Sequence, residues 1–330
     1  MLRRRTEITL AIALALLATS SMFAQDKPAA VIDPAKADAD FAVQGEYTGE
    51  VPTNDGPKKF GVQVIALGNG KFAATAYHGG LPGDGWDKSE RIKAEGRTEG
   101  GVTKIAAAEG SGQIKDGVLT IFDGGGTAIG MLKKIERKSP TIGAKPPAGA
   151  VVLFDGSTPD KFDAGRITDD KLLMAGVTSK QKFQSYTLHV EFITPYMPRA
   201  TGQARGNSGC YQQGRYEVQI LDSFGLEGKS NECGGIYSIR DPDQNMCLPP
   251  LSWQTYDIDY TAAKCDDAGK KTANARMTVR HNGVVIHENV ELPKETTAAP
   301  VKEGPEPGPI YLQDHGNPVR FRNIWLVEKK

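Results

Sequence analysis

The sequence predicts an all-β protein on three observations. Glycine is abundant, at 38 of 330 residues, short runs alternate apolar and polar side chains, and Asn-Gly pairs stand between such runs. Apolar residues at helical spacing are scarce. Residues 186–192 and 256–260 alternate strictly, as half-buried strands do, because successive side chains leave a strand on opposite faces. Residues 277–280 and 284–287 flank His281-Asn282-Gly283, and Asn-Gly readily takes the positive φ angles of a tight hairpin turn. Residues 62–67 and 72–77 flank Gly68-Asn69-Gly70 in the same way, and Asp123-Gly124-Gly125-Gly126 joins two further strands. Strands recurring every ~10–20 residues, with few helices, indicate an antiparallel sandwich or barrel.

The chain divides by composition. Arg3, Arg4 and Arg5, the apolar residues 8–18 and Met22-Phe23-Ala24 form the ordered parts of a secretory signal peptide over residues 1–24, too short for a membrane span. Cleavage is expected after Ala24, giving an exported, periplasmic or extracellular protein. No later stretch reaches the ~18 apolar residues of a spanning helix. Residues 25–40, rich in Ala, Asp and Lys, read as a flexible lead-in. A smaller β-rich module over 41–138 follows, and its function is not legible. Its Trp86, in a Gly-rich loop, suits packing better than sugar stacking. Residues 139–149 are a Pro/Gly-rich linker, and 150–330 form the second domain.

The full chain carries 40 basic and 40 acidic residues, and losing the signal leaves about −2. That balance excludes a basic nucleic-acid surface. No protein partner is expected. The four cysteines, Cys210, Cys233, Cys247 and Cys265, cluster in one region, and in an oxidising compartment an even count predicts two disulfides. Three connectivities are open. Cys233 and Cys247 flank a loop containing Pro242 and form the preferred pair, which leaves Cys210 with Cys265. No Cys-x-x-Cys occurs and no histidine lies between Cys210 and Cys265, so zinc is not expected.

The densest polar run is Arg215-Tyr216-Glu217-Val218-Gln219-Ile220-Leu221-Asp222-Ser223. On a regular strand Glu217 and Gln219 share a face and Asp222 points away; a one-residue bulge after Gln219 would bring Asp222 to their side. Such a face is either solvated or binds a ligand. Three stretches favour a ligand: the polar turn Gly206-Asn207-Ser208-Gly209, the strand end Leu312-Gln313-Asp314-His315-Gly316, and the charged strand Val319-Arg320-Phe321-Arg322-Asn323-Ile324-Trp325.

With Leu153-Phe154-Asp155-Gly156, Gly235-Ile236-Tyr237, Trp253-Gln254-Thr255-Tyr256 and His281-Asn282-Gly283-Val284, these motifs in this order resemble the 3-keto-disaccharide hydrolase domain family, also described as 3-keto-glucoside 1,2-lyase or 3-keto-2-hydroxyglucal hydratase, over residues 150–330. The resemblance implies a concanavalin-A-like jelly-roll sandwich and an enzyme acting on a carbohydrate. One departure is Phe162, where the family commonly has tryptophan. The expected reaction is cleavage of a 3-keto-glycoside by C2 proton abstraction, β-elimination and hydration. Glu217, His315, Asp222 and Arg322 are the expected catalytic groups. Asn207, Gln219, Asp314, Gln313 and Tyr216 are the expected sugar contacts. Asp222 could also help to hold calcium, so the metal requirement stays open.

Two rivals remain. Glu217, Gln219 and Asp222 occupy the places of the E-x-D-x-x-E motif of laminarinase-type glucanases, which makes Glu217 and Asp222 a retaining pair, although Gln219 replaces the middle Asp. A non-catalytic carbohydrate-binding module is the other, since this fold also serves lectins. Among the remaining residues, His281 reads as structural, His189 as solvated or on a concave face, His287 as surface, and Trp253 and Trp325 as core. Intact-mass analysis of the exported protein is expected to give an N-terminus close to Gln25; retention of Met1 would refute export.

Overall fold

The computed structural model describes residues 29–329 apart from 54 and 109, so the expected signal peptide and the start of the expected lead-in lie outside the described residues. Eight N-terminal strands each pair antiparallel with the next: β1 (Gly45–Thr53), β2 (Gly56–Gly68), β3 (Lys71–His78), β4 (Ile92–Glu99), β5 (Val102–Ala107), β6 (Ser111–Lys115), β7 (Val118–Phe122) and β8 (Ala128–Ile135). β8 returns to β1 in the register Tyr47↔Lys134, closing a barrel. Closure leaves no free edge, and at about eight strands side chains fill the interior; here Tyr47, Val64, Phe72, Ile105, Ile114, Leu119 and Leu132 do so. Asn69 (φ 57°) and Gly70 (φ 71°) make the β2–β3 turn, as the Asn-Gly signal predicts.

The second half is a two-sheet sandwich, the jelly-roll architecture that the sequence predicts. Its strands are β9 (Val151–Phe154), β10 (Phe162–Asp163), β11 (Leu173–Met174), β12 (Val177–Phe183), β13 (Tyr186–Ile193), β14 (Ser208–Gln212), β15 (Tyr216–Ile220), β16 (Trp253–Thr261), β17 (Lys264–Cys265), β18 (Lys271–Ala273), β19 (Ala275–His281), β20 (Val284–Leu292), β21 (Gly308–Leu312) and β22 (Arg320–Glu328). One sheet runs β10-β12-β21-β14-β15; the other runs β11-β22-β13-β16-β19-β20, with β9 also on β22. Alternation turns Val218, Ile220, Ile310 and Leu312 from the first sheet toward Leu188, Val190, Phe192, Ile258 and Leu326 of the second. Asn282 (φ 50°) and Gly283 (φ 80°) form the β19–β20 turn. Among the described residues no helix is long and apolar enough to cross a membrane.

Five expectations change. The lead-in is tied down from residue 31: Val31 and Tyr196 exchange backbone hydrogen bonds of 3.0 and 2.9 Å, and the Tyr196 hydroxyl donates to Asp38 at 2.8 Å. The linker is not a free spacer. It lies on the outer face of the second sheet, where Glu191 accepts the Gly143 amide at 2.6 Å and Ala144 O accepts the Asn323 amide at 3.0 Å and the Trp325 indole at 3.2 Å. Burial opposes ionisation of Glu191, but hydrogen bonds from His189, Asn323, the Gly143 amide and Arg322 outweigh it and hold its pKa at about 2. His189, read as solvated or concave, is buried beneath this cover with Nδ1 2.6 Å from Asp257. His287, expected at the surface, is also buried, 2.7 Å from Gly234 O. The fifth change concerns the cysteines, which are free thiols here rather than two disulfides. Cys233 and Cys247 do meet, thiol to thiol. Cys210 faces the core from β14, whereas Cys265 stands on the separate β17–β18 ribbon.

Barrel and sandwich touch through β2, β3, the start of β4 and the loop before it. Ile65 joins the sandwich core, Thr75 donates to Gly225 O at 2.9 Å, and Glu227 pairs with Arg91 at 2.6 Å and Lys93 at 3.0 Å. The deepest tie is Arg205, which meets Asp222 at 2.7 Å and the Ala66 carbonyl at 3.2 Å. Removing one partner of an enclosed ion pair strands the other charge and costs about 3–5 kcal/mol. Asp222→Ala is therefore expected to lose about that much stability in chemical denaturation; a variant as stable as the parent refutes the clamp.

Candidate active site

Strand β15 builds the site by alternation. Tyr216, Val218 and Ile220 enter the core, so Glu217 and Gln219 must leave by the outer face. β14 pairs with β15 in unbroken register, Tyr211↔Glu217 and Gly209↔Gln219, and β21 pairs with β14 as Tyr311↔Tyr211. Glu217, Tyr211 and Tyr311 thus form one row across three strands.

The Tyr211 hydroxyl donates to Glu217 Oε2 at 2.8 Å and receives the Gln313 amide at 3.2 Å. Gly209 makes room for the carboxyl: a Cβ there would lie 2.1 Å from Glu217 Oε1. Glu217 is buried, and burial raises its pKa to about 7, with only the Tyr211 hydrogen bond opposing. Burial likewise pushes the Tyr211 phenol upward, so it remains a donor.

A chain of carboxamides continues the row. Gln219 Nε2 donates to Gln203 Oε1 at 3.0 Å. Asn207 Nδ2 donates to the Gln203 carbonyl at 2.8 Å and to its Oε1 at 3.1 Å. The Asn207 backbone amide is fixed by Asn317 Oδ1 at 2.8 Å, while Asn207 Oδ1 is buried without a protein partner. Half-buried Tyr237 completes the rim, its amide on the Glu217 carbonyl at 3.1 Å.

The structure therefore brings together Glu217, Gln219, Asn207 and Gln313 of the expected residues. Asp314 and His315 stand exposed on the turn that follows Gln313, with Asp314 Oδ1 accepting the Gly316 amide at 2.7 Å. Tyr216 does not join them: it points into the core and donates to Glu303 at 2.5 Å. Asp222 does not join them either. No bulge follows Gln219 within β15, and the Asp222 carboxylate is enclosed with Arg205. Among the described residues no group of three or more His, Cys, Asp or Glu side chains is arranged to hold a metal.

Arg322 lies on the other sheet. It pairs with Glu191 at 2.6 Å and sits 3.8 Å over the Trp253 ring, on the outer face, so the apolar core separates it from Glu217. Trp325, expected in the core, stacks on His189 at 5.0 Å on that same outer face. Sequence reasoning missed Tyr211, Tyr237, Gln203 and Asn317. For Tyr211 a signal existed: strand pairing sets it opposite Glu217 once β14 is recognised as a strand rather than a turn.

A mostly antiparallel sandwich carrying a buried carboxyl amid tyrosines and carboxamides on one outer sheet face is the form of a carbohydrate-processing enzyme. The 3-keto-alpha-glucoside-1,2-lyase-like domain family matches residues 149–327, and the chain belongs to it. The chain is also similar to the crystal structure of a protein from Parabacteroides distasonis ATCC 8503, provisionally assigned as a glycosyl hydrolase, at 31% identity over 56% of this chain and 85% of that one, with a TM-score of 0.50. A second protein of that organism and provisional assignment is more distant, at 16% identity over 55% of this chain and 94% of that one, with a TM-score of 0.42. No curated protein matches.

Gly209→Ala tests the geometry. The new methyl must displace the Glu217 carboxyl, a flexible end that can move at little cost in stability. Activity is expected to fall at least ~100-fold, the scale of a positioned acid or base, with a near-parental melting temperature. Full activity refutes the placement.

Proposed function

We propose that the protein cleaves a 3-keto-glycoside, with Glu217 as the base that takes the C2 proton. The observation that carries this reading is the buried Glu217 carboxyl whose pKa, about 7, is matched to proton transfer near neutral pH. The C3 ketone acidifies the C2 hydrogen. As the C2–H bond breaks, the pair of electrons moves toward the ketone oxygen, and the Gln313 amide and Tyr237 phenol are the donors at hand for the enolate. The pair then forms C1=C2 while the C1–O bond breaks, and the leaving oxygen takes up a proton. Addition of water across C1=C2, hydrogen to C2 and hydroxyl to C1, completes net hydrolysis. The amides of Gln219, Gln203 and Asn207 suit sugar hydroxyls as both donors and acceptors. Exposed His315, on the adjoining turn, is the second candidate for proton transfer. Arg322, on the opposite sheet, has no part in this scheme.

The retaining-hydrolase reading is less well supported, because its second carboxylate, Asp222, is taken up by Arg205. The two readings differ in sign. A base must be ionised, so kcat/KM on a 3-keto-glucoside is expected to rise with pH through about 7; a fall through the same range would make Glu217 an acid. Stability follows the opposite course. A carboxyl whose folded pKa is raised contributes stability present below its ordinary value of 4.5 and lost as pH rises through about 7. Glu217→Gln removes that loss, so its melting temperature relative to the parent is expected to be higher at pH 8 than at pH 5. Its turnover is expected to drop at least ~100-fold. Retained turnover in this variant, with activity lost instead in His315→Ala, would transfer the base to His315.

A further inference from the structure

Beneath the linker, on the outer face of the second sheet, a histidine lies between two carboxylates. His189 Nδ1 is 2.6 Å from Asp257 and Nε2 is 3.6 Å from Glu191. The ring stacks on Trp325 at 5.0 Å. Strand register sets Asp257 and Trp325 on either side of His189, and Glu191, two residues along β13, shares the face. Asn323 uses both amide hydrogens, on Ala144 O at 3.0 Å and on Glu191 Oε1 at 2.8 Å. Its nitrogen, 3.4 Å from Nε2, thus has none left for the ring. Each imidazole nitrogen is free to carry its own hydrogen toward a carboxylate, which is the arrangement of an imidazolium.

The same residues hold the linker. Thr141 donates to Asp257 at 2.7 Å, the Gly143 amide donates to Glu191 at 2.6 Å, and Ala144 O receives Asn323 and the Trp325 indole. Ser139 Oγ and Thr141 Oγ1 lie 2.6 and 2.9 Å from Thr255 Oγ1. Of these receiving residues, all but Thr255 touch His189.

The charges balance only with a charged ring. Glu191 and Asp257 bring two negative charges; His189 and Arg322, which is 2.6 Å from Glu191, bring two positive ones. The other charged groups nearby lie outside the cluster. Arg280, beside Asp257 in the same row, and Lys145 of the linker are exposed, and Asp259 is paired with Lys329 at 2.5 Å. Burial opposes the charged ring, but hydrogen bonds to Asp257 and Glu191 outweigh it and raise its pKa above the ordinary 6.5.

We infer that the linker is a proton-gated latch, docked while His189 is charged and released when the ring loses its proton. The loss strands an enclosed carboxylate without its cation, in the cluster that grips the linker. By linkage, docking is fully present below the ordinary pKa of 6.5 and is lost as pH rises through the raised one. Release frees the covalent joint between barrel and sandwich. The inference is independent of the role given to Glu217.

Hydrogen exchange at the Gly143 amide and the Trp325 indole tests the latch, measured by NMR on the full chain and corrected for the intrinsic pH dependence of exchange. In the parent, protection is expected to fall at least ~10-fold as pH rises from 6 through the His189 titration, with the same midpoint. His189→Gln keeps a donor for Asp257 but no charge. Its protection at pH 6 is expected to match the released level of the parent and to be independent of pH. Asp257→Asn keeps the acceptor for Thr141 and removes one of the two charges that hold the proton, so its midpoint is expected to move down. This second variant decides the matter if the first does not fold. The latch is overturned by protection that stays constant while His189 titrates, by a His189→Gln variant as protected at pH 6 as the parent, or by an unmoved midpoint in Asp257→Asn.

Discussion

Keeping the Glu217 carboxyl out of water is the constraint around which the C-terminal half is arranged. Alternation on β15 forces it away from the core, yet neighbours on β14 and β21 and the segments around Gln203 and Tyr237 close over it. Gly209 leaves the space, Tyr211 supplies a hydrogen bond, and Gln313 holds Tyr211. An isolated carboxyl in such a place is costly to ionise, and the cost appears as a proton affinity near neutrality. A reactive group and a destabilising one are here the same group.

The opposite face of the sandwich handles the same problem differently. Glu191 is as buried as Glu217, but Arg322, Asn323, His189 and the Gly143 amide all serve it, and it remains ionised. That network secures the linker. The contrast between the two glutamates separates a carboxylate that holds structure from one available for chemistry: four donors hold Glu191 ionised, whereas Tyr211 alone serves Glu217. Asp222 belongs with Glu191, its charge spent on Arg205 and on the junction with the barrel.

The barrel contributes to the enzyme as a partner in packing. Strands β2 and β3 present Ile65, Thr75 and the Ala66 carbonyl to the segments 205–227 that follow and precede the strands of the site. Val31 and the Tyr196 loop lock the chain on the same side. Changes in the barrel can therefore reach Asn207 through Arg205, two residues away.

The sequence by itself determined what depends on neighbours along the chain. The period-two runs marked the strands, Asn69-Gly70 and Asn282-Gly283 placed two hairpins, and the ordered motifs from Leu153 to Trp325 pointed to the family and to Glu217, Gln219, Asn207 and Gln313. Only the tertiary structure decided what depends on which strands become neighbours and which faces are covered. Tyr211 meets Glu217 because β14 lies beside β15. Arg322 falls on the far side because β22 belongs to the other sheet. Asp222 turns to Arg205 because the chain leaves the sheet after Ile220 and runs beside Arg205. Closure of the barrel, burial of His189 and His287, and the docking of a Pro/Gly-rich linker have the same origin. Each rests on contacts between residues distant in sequence, and a residue's own neighbours carry no record of what will cover it.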